Sequence, residues 1–319
     1  MTDEQGTASD LIARFTSDTS NPIKCLADLQ AIPCYEPIVD FGKASGRSLK
    51  DVLTEYEVAK IDEVPCGIQG CRQRHMHGYV VFTSDAKITN IGKDCGKKHL
   101  GLEFTQARKS FKVRRKAADN RKAVAKSFDE LHVHQSKIDH LLKLSRALGR
   151  CKKVLREWSP AINAKLVRMA EIRSSQIVVE RRMSKREAQV HYLQTNTSRK
   201  DYERGRPMVE EKVGTLDGLP FFRTSLAALM GKSVTPAIDR LKALSEQEIR
   251  DLQPREVEGL SRDLGNAIRS LREAEQLADQ GLRFFTPENV SKLAHMGATE
   301  QSLIGLVQAI SELDAFRAP

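Results

Sequence analysis

Apolar positions fall into three patterns along the chain, and each predicts a different kind of element. Tyr79-Val80-Val81-Phe82-Thr83 and Ile88-Thr89-Asn90-Ile91 are short apolar runs on either side of Ser84-Asp85-Ala86-Lys87. That is the pattern of a β-hairpin closed by turn-forming residues. From Phe104 the spacing changes. Phe104, Phe111, Ala118 and Ala125 recur every seven residues, and Phe128, Leu131, Ile138, Leu141 and Leu142 extend the seam. Neither proline nor glycine occurs between Gly101 and Gly149, so one helix or two nearly continuous helices fill that span. The helical reading continues through Leu141–Leu155, stops at Ser159-Pro160, and resumes from about Ala161 to Tyr192 through Leu166, Met169, Ile172, Ile177 and Val178.

The third pattern is C-terminal. Val257, Leu260, Leu264, Ala267, Leu271, Ala274 and Ala278 keep the alternating three–four spacing of a heptad seam, and Leu303, Leu306, Val307, Ile310 and Leu313 form a last stripe. Helix starts are marked by Thr235-Pro236, by the capping box of Ser245 with Glu248, and by Thr286-Pro287. Ser48, with Asp51 three residues on, predicts a short helix through residues 51–58. The expected fold is mainly α, with a small β-hairpin module, long helices after it and a C-terminal helical bundle. Polar composition divides the rest. Residues 1–21 read as a flexible leader, 22–65 as an acidic segment, 66–101 as the hairpin module, 102–205 as a long-helix region and 206–319 as the bundle. Gln194–Gly205, with Pro207, Gly214 and Gly218 beyond it, marks the boundary between the last two, near 205–215.

The hairpin gains chemistry from its flanks. Cys66-Gly-Ile-Gln-Gly-Cys71 precedes it and Asp94-Cys95-Gly-Lys-Lys-His99 follows it. Two cysteines four residues apart can pinch one ion from a tight knuckle, and a cysteine and histidine at i and i+4 share a helix face. Over 66–101, knuckle, hairpin and ligand-bearing helix resemble the treble-clef zinc fingers. That resemblance implies one structural Zn2+ on Cys66, Cys71, Cys95 and His99, because a closed tetrahedral Cys/His set leaves no open catalytic position. His75 and His77 are rivals for the fourth place. The pattern departs from the usual finger in its four-residue knuckle spacing and in a Cys-x-x-x-His helical pair. Cys25 and Cys34 fit no metal spacing and read as core thiols, with a second metal pair as the alternative. Six cysteines in 319 residues, half of them here, suit metal binding in a reducing compartment rather than a disulfide framework. The expected location is cytoplasmic. Met1–Asp10 is polar and no run of about 18 apolar residues occurs, so neither secretion nor membrane insertion is expected.

Charge then sharpens the picture. The net charge is +10, but residues 1–65 carry −6, residues 66–200 carry +20 and residues 201–319 carry −4. A concentrated basic stripe is the footprint of a nucleic-acid binder. In the finger it comprises Arg72, Arg74, Lys93, Lys97 and Lys98. Along the following helix it comprises Arg108, Lys109, Lys112, Arg114, Arg115, Lys116, Arg121 and Lys122. Tyr192 and Tyr202 flank Arg199 and Lys200 and offer rings for base stacking. His132, His134 and His140 read as surface residues, and Trp158 as a core or interface anchor. No phosphate loop, nucleophile elbow or His-Glu-x-x-His pair is present, and the helix after the hairpin lacks the acidic partners of a treble-clef nuclease. The expected function is therefore non-enzymatic: salt-dependent binding of nucleic acid, DNA before RNA, in a regulatory role. The alternative is a helical adaptor or inhibitor whose zinc module is purely structural, with a protein partner or self-association through the C-terminal helices.

Overall fold

The computed structural model describes Phe15, residues 23–42, 44–202 and 205–317. Apart from Phe15, the leader expected over 1–21 lies outside the described residues. The described residues are mainly helical, with three small antiparallel sheets among them. It divides into two compact units, Met1–Phe128 with Leu244–Arg262, and Asp129–Ala243 with Asp263–Pro319.

In the first unit a short helix, α1 (Leu26–Gln30), precedes strand β1 (Leu49–Glu57). Two-residue strands β2 (Val64–Pro65) and β3 (Arg74–His75) pair with each other. Strands β4 (His77–Thr83) and β5 (Ile88–Gly92) form the expected hairpin, in register Gly78 with Gly92 and Phe82 with Ile88. Thr83 closes its turn: the Oγ1 accepts from the Lys87 amide at 3.0 Å and donates to Asp85 at 2.6 Å. Strand β1 is the correction here. Residues 51–58 do not make the short helix expected after Ser48; they pair with β4 to give a three-stranded sheet of order β1-β4-β5. Two register shifts in β1 break the alternation that would have marked it as a strand.

Both faces of this sheet are covered. Tyr79 and Val81 of β4 turn one way and cluster with Val52, Ile91, Cys66, Cys95, Phe104 and Phe111. Val80 and Phe82 turn the other way and cluster with Leu53, Tyr56, Val64, Ile88, Ile23 and Leu29. The period of two along β4 thus feeds two cores. Helix α2 (Lys93–Asp129) starts directly after β5 and kinks at Gly101. Along its apolar seam it buries Phe104, Phe111, Ala117 and Val124, where Ala118 and Ala125 were expected in the last two places. The face turns because its partner changes. Early on, Arg114 pairs with Asp51 at 2.8 Å and Arg115 pairs with Glu55, both from β1. Farther along, Lys116 meets Glu258 at 2.6 Å and Arg121 donates to the Leu252 carbonyl at 2.6 Å.

Phe104 fills the centre of the first core, fully buried and edge-on to Tyr79 with ring centroids 5.5 Å apart. Replacing it by alanine removes an aromatic ring from a close-packed site and should cost about 3–5 kcal/mol. Urea unfolding of the Phe104→Ala chain measures this, and a loss below about 1 kcal/mol would contradict the packing described.

The second unit holds α3 (Leu131–Trp158), α4 (Pro160–Glu171), β6 (Gln176–Arg182), α5 (Lys185–Thr195) and β7 (Met208–Thr215). The helix expected from Ala161 to Tyr192 is therefore interrupted. It stops at Glu171, Arg173 takes a left-handed φ of 56°, and the β-branched run Ile177-Val178-Val179 enters a strand paired with β7. Ile177 is buried while Val178 is exposed, as alternate strand positions require. A division near 205–215 would cut through β7 and separate it from its partner. Short helices α6 (Leu226–Leu229) and α7 (Thr235–Lys242) follow, after which the chain returns to the first unit with α8 (Glu246–Asp251). Thr235 does not cap α7, because a π-turn over Met230–Val234 runs straight into it. Ser245 does cap α8: its Oγ accepts from the Glu248 amide, and its own backbone N–H donates to the Glu248 carboxylate.

Helix α9 (Pro254–Phe284) buries the whole expected seam from Val257 to Ala278. Thr286 caps α10 (Pro287–Ser291), and α11 (Glu300–Ser311) buries Leu306 and Ile310 but leaves Val307 exposed. Trp158 is half exposed and lies over Gly305 of α11. No described helix is long and apolar enough to cross a membrane.

Candidate metal centre

Three elements bring three cysteines together. Cys66 follows β2 and its amide donates to the Gln73 carbonyl at 2.9 Å, closing a loop that carries Cys71 back toward its start. Cys95 lies in the first turn of α2, which continues from β5 without a connecting loop. The three Sγ atoms all lie within 4.8 Å of one another, and those of Cys71 and Cys95 are 3.5 Å apart. Cys66 and Cys95 are buried and Cys71 is partly so. The three thiols could hold one metal ion, and among the described residues no other group of His, Cys, Asp or Glu does so.

Their acid–base chemistry fits that role. Burial pushes the Cys66 thiol up. Burial, helped by the contact with Cys71, pushes Cys95 up to about 12. Burial also opposes ionisation of Cys71, yet the Gln73 backbone amide, the two neighbouring thiols and Lys98 bring it below the usual thiol value. Burial alone therefore disfavours three thiolates side by side. A divalent cation among them reverses the preference, because coordinated thiols lose their protons outright.

The three histidines part company. His99 is exposed and lies outside the set of mutually close ligand atoms. His77 is mostly exposed, with Nδ1 3.8 Å from a Glu57 carboxylate oxygen. His75 is half-buried. Its Nε2 is 2.7 Å from the Tyr56 hydroxyl, while Nδ1 is buried with no hydrogen-bond partner among the described residues. Burial, outweighing the nearby Gln73 carbonyl and Glu63, keeps its pKa below the ordinary histidine value. Tyr56 also accepts from the Asn90 amide nitrogen at 3.0 Å, and Asn90 Oδ1 accepts from the Tyr35 hydroxyl at 2.6 Å. The sequence reading missed this buried polar chain. Its only signal was Asn90, a polar side chain inside an apolar strand run.

The remaining candidates are dispersed. Cys25 is half-buried and Cys34 exposed, neither with the triad, and buried Cys151 donates to the Ala309 carbonyl at 3.3 Å. Arg72, Lys93, Lys97, Lys98, Lys109 and Lys112 are exposed around the knuckle and along early α2. Arg74 donates to the Glu63 carbonyl and Arg108 lies over the Tyr79 ring at 5.7 Å. Arg114, Arg115, Lys116 and Arg121 are engaged within the unit, as described above, and Lys122 is exposed. A cleft of about 820 Å³ beside the triad has walls of both signs, with Arg108, Lys112 and Lys93 facing Glu55, Glu57 and Asp94. Tyr192 and Tyr202 pack on each other, centroids 6.0 Å apart, and Tyr202 also meets His191 at 2.7 Å. No protein-family model, curated protein or solved structure matches the chain.

Proposed function

We propose that this chain is a zinc-stabilised, non-enzymatic DNA-binding protein of regulatory type. Cys66, Cys71 and Cys95 hold one structural Zn2+, and phosphates are bound by the basic side chains around the knuckle and along α2. The observation that carries this reading is the exposed cluster Arg72, Lys93, Lys97, Lys98, Lys109 and Lys112, drawn from one segment of net charge +20 and forming no ion pair among the described residues. Such charges gain from releasing counterions when they meet a polyanion. Arg114, Arg115 and Lys116 serve the fold instead, through their ion pairs.

Six phosphate contacts on duplex DNA give a slope of about −5 in log affinity against log salt, so affinity should drop roughly 1,000-fold between 50 and 200 mM. Lys112→Ala should make that slope shallower by about one. Fluorescence anisotropy with a labelled duplex across that salt range measures both. An affinity that ignores salt would dispose of the phosphate mechanism. A second reading, a protein-interaction adaptor, is favoured by exposed Trp158, Ile304 and Val307, the first two lining one shallow cleft. A stoichiometric partner that stays bound through nuclease treatment would support it over the first.

A further inference from the structure

We propose that His75, through Nδ1, is the fourth ligand of the metal centre, which makes the site Cys66, Cys71, His75 and Cys95. The proposal rests on the reading that the three thiols bind Zn2+, and it displaces His99 from the set. Zinc in a structural site takes four donors, and three thiols leave one place to fill.

Four observations converge on His75. Its Nδ1 is a buried polar atom with no hydrogen-bond partner among the described residues, an arrangement that costs free energy unless something else satisfies the nitrogen. Its other nitrogen is already engaged: Nε2 lies 2.7 Å from the Tyr56 hydroxyl. Ligation through Nδ1 requires the tautomer in which Nε2 carries the proton and donates to the Tyr56 oxygen, which already accepts from the Asn90 amide. In that tautomer Nδ1 is free of a proton, and an outer N–H held by a protein acceptor is what metal-ligating histidines have in their second shell. The chain is tied down farther out, because Asn90 also donates to the Pro65 carbonyl at 2.8 Å, next to Cys66.

The third observation is the space given to the ring. Gly78 and Gly92 face each other across β4 and β5. A Cβ on Gly78 would lie 2.7 Å from His75 Nε2, and one on Gly92 would lie 3.0 Å from Nδ1. Two paired glycines thus leave a slot that the imidazole fills. The same Cβ on Gly92 would lie 3.3 Å from Cys95 Sγ, so Nδ1 and that sulfur border one small space and are no farther apart than the sum of the two distances. Nδ1 lies outside the 4.8 Å set of thiols, so ligation requires the ring and the thiols to draw together. Fourth, the rivals point elsewhere: His99 is exposed and His77 is turned to Glu57.

The test uses the full chain loaded with Zn2+ and, in parallel, with Co2+. Competition against a chromophoric chelator gives the zinc affinity, and the cobalt ligand-field bands report the donor set. His75→Ala should weaken zinc binding by more than about 100-fold and alter the cobalt bands, since loss of an outer-shell partner alone costs 10–100-fold. His77→Ala and His99→Ala should leave both readouts unchanged. His75→Cys should retain zinc and strengthen the sulfur-to-cobalt charge-transfer absorption. Tyr56→Phe should weaken zinc by roughly 10-fold. Loss of binding in His99→Ala, with His75→Ala unaffected, would overturn the assignment while leaving the thiol reading intact. Zinc retained at full affinity in Cys95→Ala would instead overturn the thiol reading. A measurement without substitution guards against a variant that fails to fold. In the 113Cd-loaded protein, scalar coupling from cadmium to His75 Nδ1 is expected, and coupling to a His99 nitrogen would overturn the proposal.

Discussion

Cys66→Ser and Cys95→Ser should each yield a chain that carries no zinc and whose first unit melts roughly 10–20 °C lower. The size follows from where the ion sits. Structural zinc sites return an apparent 10–16 kcal/mol in small fingers, and whole domains are stable by only about 5–15 kcal/mol. The first unit has a second core on the far face of its sheet, so it does not depend on the metal alone. A loss of about 5 kcal/mol is the expectation, which at this size converts to the stated shift. Cys66 sits in the knuckle and Cys95 at the head of α2, so an ion held by them would tie loop, strand and helix at one point. Hydrogen exchange should therefore loosen first at residues 64–75 and at the junction of β5 with α2, and only later in β1 and β4. Cys25→Ser and Cys34→Ser, remote from the triad, should leave zinc and melting unchanged. Elemental analysis with calorimetry decides the matter. Full zinc content and unaltered melting in both triad variants would remove the metal centre altogether.

The thiol triad was legible because its signal is local and chemical: cysteines are rare in this chain, and three of the six fall within 30 positions. The hairpin was legible because its two runs and its turn are contiguous. The surroundings of the histidines were not. Spacing favoured His99, since i and i+4 share a helix face, but sharing a face does not say which face meets the knuckle. His75 is set by a β2–β3 pairing, by a phenol from β1 and by glycines on two other strands. None of those relations is visible in the spacing of histidines and cysteines.

Strands β1, β6 and β7 were missed for a related reason. A strand becomes stable through partners distant in the chain, so its pattern is weak until the partner is known. In β1 the bulges spoil alternation; in β6 a single apolar run follows a helical stripe at a plausible spacing. Helix α9, by contrast, repeats its seam over more than twenty residues, and no tertiary preference competes with it. Basic residues divide along the same line. Charge runs show where cations lie, but only the fold separates Lys112, exposed, from Arg114 and Arg115, which bind β1.

Gly218→Ala is expected to destabilise the second unit by roughly 2–5 kcal/mol, with the sign opposite to that of Gly149→Ala. Gly218 has a left-handed backbone, φ 71° and ψ 11°, at the entrance to the turn Leu219–Phe222. An L-residue there costs about 1–2 kcal/mol before any contact is counted. A Cβ would also lie 2.1 Å from the Gln280 carbonyl oxygen and 2.5 Å from the Phe284 nitrogen. Those are main-chain atoms of α9, which cannot swing aside as a side chain can. Relief therefore requires the turn to lift away from the helix, and behind the turn lies an aromatic cluster. Phe222 packs edge-on to Phe284 at 4.7 Å, and Phe221 to Phe285 at 5.8 Å. Opening that contact adds an overpacking cost of about 1–3 kcal/mol. Gly149 lies exposed within α3 with nothing near its would-be Cβ, so alanine there should stabilise the helix by about 0.5–1 kcal/mol. Denaturant midpoints of the two variants give the comparison directly. Equal midpoints would contradict both the left-handed backbone at Gly218 and the close approach of the turn to α9, the two features that set it apart from Gly149.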